Sequence, residues 1–158
     1  MKGKLLFVIV LLLCLAGLLA ACGQQQATEY TITEPYQYPI VPETAEWREL
    51  KGLDAKIEAC EVPEEILENI TTEALFQTVL DYPLLINFIV YGNPGDLMKG
   101  YRAGFEAILG YCNALQELVE RPETQELAEQ FQKTEECQER ALYRDFTIAL
   151  LDYLQEKS

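Results

Sequence analysis

Apolar residues along this chain fall into three patterns. Residues 5–19, LLFVIVLLLCLAGLL, form an unbroken apolar run. Residues 23–42, GQQQATEYTITEPYQYPIVP, show no helical period, and Pro35, Pro39 and Pro42 impose extended local geometry. From Glu43 onwards apolar positions return every three or four residues, the spacing of one helix face. Trp47, Leu50, Leu53 and Ile57 mark a first helix, which Gly52 weakens by about 1 kcal/mol relative to alanine. Pro63 starts a short second helix, PEEILENI, with two glutamates in its first turn, where the helix dipole favours negative charge. Thr71 is the expected N-cap of TEALFQTVLDY, whose apolar face is Leu75, Phe76, Val79 and Leu80.

PLLINFIVY is apolar on nearly all sides, which suits a buried helix or a buried strand. Helix is the better reading, because no second strand exists for it to pair with. Asn93-Pro94-Gly95-Asp96 has the residues of a type II turn. Tyr101, Phe105, Ile108, Leu109, Cys112, Leu115 and Val119 then form the stripe of one long helix ending at Arg121-Pro122. Gly100 and Gly104 share a side of it and leave room for a close neighbour. PETQELAEQFQ restarts helix, KTEECQER reads as a polar loop, and the last helix spans about Ala141 to Leu154 with Leu142, Phe146, Ala149, Leu150, Tyr153 and Leu154 buried. No repeat period is present. The expected fold is all-α: one compact domain of about five to seven helices over residues 43–158, and no solenoid.

The first run has a different meaning. Met1–Lys4 carries two lysines, the apolar run from Leu5 to Ala21 is 17 residues, and small residues close it. That is the layout of a secretory signal, at the short limit for a span, where about 20 residues are usual. Its end, Leu19-Ala20-Ala21-Cys22, resembles the lipobox of bacterial lipoproteins. The resemblance covers residues 1–22. It implies that the Cys22 thiol receives a diacylglyceryl group, that cleavage follows Ala21, and that Cys22 becomes the N-terminus. Two acyl chains anchor stably, at about 0.8 kcal/mol per buried CH₂. Rival readings are ordinary cleavage after Gly23, an uncleaved anchor, or an incidental Cys22. Ordinary cleavage after Ala21 is disfavoured because Leu19 is too large for a small-x-small site. The expected organisation is a signal peptide over 1–21, a lipidated N-terminus and flexible Pro/Gln/Thr tether over 22–42, and an acidic helical domain over 43–158. The expected location is the outer face of the cell membrane.

Charge and missing residue types then narrow the chemistry. The chain has 12 Lys and Arg against 26 Asp and Glu, a net charge of −14. Residues 1–21 hold two of the bases and none of the acids, so the mature chain of 137 residues would carry −16. Such a chain does not suit nucleic acid or an anionic bilayer surface, both of which demand basic faces. There is no histidine, and the only serine is Ser158. Serine–histidine triads, cysteine–histidine pairs and histidine zinc sites are therefore excluded, and phosphate-loop and dinucleotide fingerprints are absent.

Cys60, Cys112 and Cys137 remain once Cys14 is cleaved off and Cys22 is lipidated. Cys112 lies on an apolar stripe and is expected to be buried, which leaves Cys60–Cys137 as the possible disulfide. No CxxC spacing points to a metal, and no cofactor is implied beyond the covalent lipid.

The leading functional expectation is a non-enzymatic, membrane-anchored domain that binds a protein or peptide or helps organise the envelope. A carboxylate-dependent cell-wall glycan hydrolase is the alternative, with Glu106 and Asp81 the acids best flanked by aromatics. An acidic immunity or inhibitor protein matched to a basic toxin is the third. The stretch from Trp47 to Pro83 also resembles segments of uncharacterised exported proteins of Gram-positive bacteria, a resemblance that implies no activity.

Overall fold

Capping chemistry sets where the helices begin. The computed structural model describes residues 30–91 and 96–157, so Cys22, the expected signal peptide and most of the turn at 93–96 lie outside the described residues. Thr44, Thr71, Asp96 and Thr134 each place a side-chain oxygen on the amide of the third residue that follows, at 3.1–3.2 Å. They open helices α1 (Ala45–Glu49), α4 (Thr72–Leu80), α5 (Leu97–Leu109) and α8 (Glu135–Glu139). Between them run α2 (Gly52–Ala59), α3 (Glu64–Asn69), a 3₁₀ helix (Leu85–Tyr91), α6 (Asn113–Leu118) and α7 (Thr124–Phe131), and α9 (Ala141–Lys157) closes the chain. Among the described residues there are thus nine α-helices, five of seven residues or more, and no strand. The fold is all-α.

The core forms around α9. Phe146 is fully buried, with its ring 5.8 Å from Phe88 of the 3₁₀ helix and 5.6 Å from Phe105 of α5. Burying one such side chain contributes about 1.5–3 kcal/mol. Helix α9 also packs on α7 and α8. Gly104 explains how α5 and the 3₁₀ helix come so close: a Cβ there would lie 2.5 Å from the Phe88 carbonyl oxygen. The close neighbour for which the Gly100/Gly104 side left room is this 3₁₀ helix.

Four local readings change. The single helix expected across Trp47–Ile57 is two, broken at Leu50–Lys51, and Gly52 opens α2 with φ +82°, a conformation costly for other residues. The long stripe from Tyr101 to Val119 also breaks, at Gly110–Cys112. The break turns Asn113 towards Val62, with whose backbone it makes two hydrogen bonds: Val62 N–H donates to Asn113 Oδ1 at 3.1 Å and Asn113 Nδ2 donates to the Val62 carbonyl at 2.8 Å. PLLINFIVY is 3₁₀ rather than α-helical from Leu85, and the segment expected as a loop over 133–140 contains α8, started by the Thr134 cap.

Part of the stretch expected as tether is folded instead. The compact unit begins at Thr31, not Glu43. Ile32 forms an isolated parallel bridge with Ile70, its amide donating to the Asn69 carbonyl and its carbonyl accepting from Thr71, both at 2.8 Å. Tyr36 N–H donates to Thr78 Oγ1 at 2.9 Å, and Tyr38 enters the core. Docking gains because the unpaired backbone of this stretch finds partners on α3 and α4 while two aromatic rings leave water.

Candidate functional site

Two places where ionisable groups meet apolar surface bear on function. The first is interior. Tyr38 and Tyr82 are buried with ring centroids 5.8 Å apart, and Tyr36 and Tyr111 extend the row at 5.2 Å and 6.3 Å. Cys60, at the end of α2, and Cys112, at the start of α6, are buried beside them. Tyr38 O–H donates to the Thr78 carbonyl at 3.2 Å, whereas the buried Tyr82 hydroxyl makes no hydrogen bond. Burial pushes the Cys60 thiol up to about 11 and Cys112 up to about 12, and raises both phenols. Neutral, enclosed thiols of this kind are poor nucleophiles. The cluster packs α4 against α6 and holds Cys60, the C-cap of α2, beside them.

All three thiols are free and buried. Cys137 sits elsewhere, with its sulfur 4.0 Å from Thr147 Oγ1 of α9. Cys60 therefore neighbours Cys112, and the Cys60–Cys137 pairing is not formed. Glu106 and Asp81 are not brought together either. Glu106 is exposed and paired with Arg102 at 2.9 Å, the same guanidinium that also holds Glu156 and Asp152. Asp81, also exposed, accepts from Gln77 at 3.1 Å and from the Tyr143 hydroxyl at 3.5 Å. Neither lines the hollows between α4 and α7 described below. Among the described residues no cluster of three or more Cys, Asp or Glu is placed to hold a metal ion, and no helix is long and apolar enough to cross a membrane.

The second place is a groove between α4 and α7. Its floor is Phe76, Leu127 and Phe131, with the two phenyl rings edge to face at 5.2 Å. The floor opens into a hollow of about 260 Å³ that continues into one of about 200 Å³, and Glu73, Leu127 and Gln130 line both. Glu73, Glu123 and Glu126 form the rim, all exposed. Gln130 Nε2 donates to Glu126 Oε1 at 3.1 Å, and none of the three carboxylates has an ion-pair partner among the described residues. The bases that flank α7, Arg121 and Lys133, line neither hollow. Local causes build this arrangement. Glu73 and Glu126 lie in the first turns of their helices, where the dipole favours them, and Leu127 and Phe131 are one turn apart on α7.

The sequence gives half of this groove. Glu123, Glu126, Leu127 and Phe131 stand together in PETQELAEQFQ, but nothing in their spacing points to Glu73 and Phe76, some fifty positions earlier. No family model matches the chain, and neither a curated protein nor a solved structure is significantly similar to it.

Proposed function

We propose that this protein is an extracytoplasmic lipoprotein, anchored by acyl chains on Cys22 to the outer face of the cell membrane, and that its helical body is a non-enzymatic binding domain for a protein or peptide. The leader and Leu19-Ala20-Ala21-Cys22 support the anchor. The groove of Phe76, Leu127 and Phe131 under three uncompensated carboxylates is the observation that carries the binding role. The docking of Ile32 onto Asn69 and Thr71 shortens the tether to the stretch after Cys22. Ten residues reach at most about 35 Å when fully extended, so the body would work close to the bilayer. Its acidic surface keeps it from lying on anionic headgroups, which leaves its faces open to partners.

A glycan hydrolase would need one carboxyl group shielded in a cleft and a second facing it. Glu106 and Asp81 face solvent on different elements, so no geometry favours that reading over the binding role.

Two measurements test the proposal. Mass spectrometry of the native product should find a diacylglyceryl-modified Cys22 at the N-terminus; an N-terminus at Gln24 or an unmodified thiol would refute the anchor. Cross-linking in intact envelopes should trap a reproducible partner, and repeated failure to trap one would reduce the body to a spacer.

A further inference from the structure

We infer that the α4–α7 groove docks a cationic amphipathic peptide segment, one that presents an apolar side chain with lysine or arginine within a helical turn of it. This rests on the reading of the body as a binding domain and names its site and the chemistry of its partner.

The floor and the rim make joint demands. Leu127 and Phe131 are only partly buried, so their apolar surface, with Phe76 behind it, faces water. A ligand that is only polar leaves that surface wet. A ligand that is only apolar strands Glu73, Glu123 and Glu126 in a drying interface without counter-charge, which is costly. A basic amphipathic segment meets both demands, and a helix laid in a groove is an established way of presenting such anchors.

None of the ten bases among the described residues forms an ion pair with Glu73, Glu123 or Glu126. Arg102, Arg121, Arg140, Arg144 and Lys157 are each engaged with carboxylates elsewhere. Arg121 is further held by the Ile70 and Leu67 carbonyls at 2.6 and 2.7 Å. The net charge of −14 adds a long-range field of the same sign, which speeds the approach of a cation but does not choose a face. Selection of this face therefore depends on the apolar floor.

The test uses the processed, lipidated protein in non-ionic detergent and a fluorescent 18-residue peptide of leucine and lysine, segregated onto opposite faces when helical. Anisotropy should report saturable binding that weakens with salt. A scrambled peptide of the same composition should bind about tenfold more weakly. The variant Glu73→Gln/Glu123→Gln/Glu126→Gln should also lose about tenfold, whereas Glu46→Gln/Glu68→Gln/Glu139→Gln, which removes the same charge from exposed positions elsewhere, should stay within about twofold.

Equal losses in both variants, equal binding of the scrambled peptide, or no binding at all would overturn the inference. Amide shift mapping on the unmutated protein guards against a rim variant that misfolds: shifts centred on Glu73, Leu127 and Gln130 support the groove, and shifts centred elsewhere refute it. The wider reading fails separately. Envelope cross-links that map to another face would sink the groove and keep the binding domain. Peptide binding at the groove by a chain found unlipidated at Cys22 would keep the groove and sink the anchor.

Discussion

Helices α1 and α2 share a periodic apolar pattern with α9, yet the two regions are held in different ways. Neither α1 nor α2 buries a residue fully, and Leu53, read as part of their inner face, is 48% exposed. Trp47 and Ile57 only lean on the core. What fixes α1 is local: the Thr44 cap, the Arg48 guanidinium on the Glu43 carbonyl at 2.6 Å, and Lys56 lying 5.0 Å from the Trp47 ring. Helix α9 instead buries Tyr143, Phe146, Thr147, Ala149, Leu150, Leu151 and Leu154. Repeats of three and four residues thus identify a helix face but not the depth of what covers it. Regions with few buried apolar contacts open at lower free energy than the global transition. The N-terminal pair should therefore fray first, and Trp47, the only tryptophan, reports on it directly.

The largest effect should come from the centre. Phe146→Ala removes a fully buried ring that touches two others and should destabilise by about 3–5 kcal/mol. In urea titration the circular dichroism and Trp47 fluorescence transitions should both fall, since losing the core releases everything. Gly104→Ala comes next. Alanine would gain about 1 kcal/mol of helix propensity over glycine. Against that, its Cβ would sit 2.5 Å from the Phe88 oxygen and 2.9 Å from Phe88 Cδ2, and part of that contact is backbone that cannot swing away. Overpacking of this kind costs about 1–3 kcal/mol, so the net change should be destabilising. A stabilised Gly104→Ala would mean that α5 and the 3₁₀ helix are not pressed together as described.

Gly52→Ala probes the other region at smaller scale. A Cβ there meets nothing within 4 Å, so the whole cost is the positive φ of +82°, about 1–2 kcal/mol. The effect should be confined to α1 and α2. Trp47 fluorescence should change at lower urea than the helical signal of the whole, and amide exchange over residues 45–59 should quicken while that of residues 146–151 does not. A uniform shift of both probes would show that the two regions unfold as one.

Much of this division is legible in the sequence. The Thr71 cap, the inner face of Leu75, Phe76, Val79 and Leu80, and Phe146, Ala149, Leu150 and Leu154 of the α9 stripe follow from local pattern because cap and face are properties of a few adjacent residues, whereas Leu142 and Tyr153 are only partly buried and Tyr143 and Thr147 are buried beside them. The features that escaped depend on distant partners. The chain breaks before Asn113 because its side chain pairs with Val62, fifty-one positions away. Residues 32–38, expected to lie in a tether, pack on the body because Ile70 and Thr78 supply matching backbone and hydroxyl groups. The groove is half hidden for the same reason: period identifies a face of α7 but not which helix lies across from it.

Cys60 and Cys112 give the finest test, because they sit side by side on the border between the two regions. Cys60 ends the weakly held α2, and Cys112 opens the well-buried α6. Their stabilising effect as neutral groups is complete below the usual thiol value of 9.0; it is lost as the pH rises towards about 11 for Cys60 and about 12 for Cys112, because above 9.0 the unfolded chain gives up protons that the folded chain retains. At pH 8, then, neither thiol costs the fold anything, and alkylation is controlled by opening alone. Fraying of α2 should expose Cys60 to iodoacetamide well before Cys112, in a ratio of rates that mild urea narrows as global unfolding takes over. If both thiols react together at the rate of global unfolding, α2 belongs to the core after all, and the contrast between the two regions is one of packing density rather than of stability.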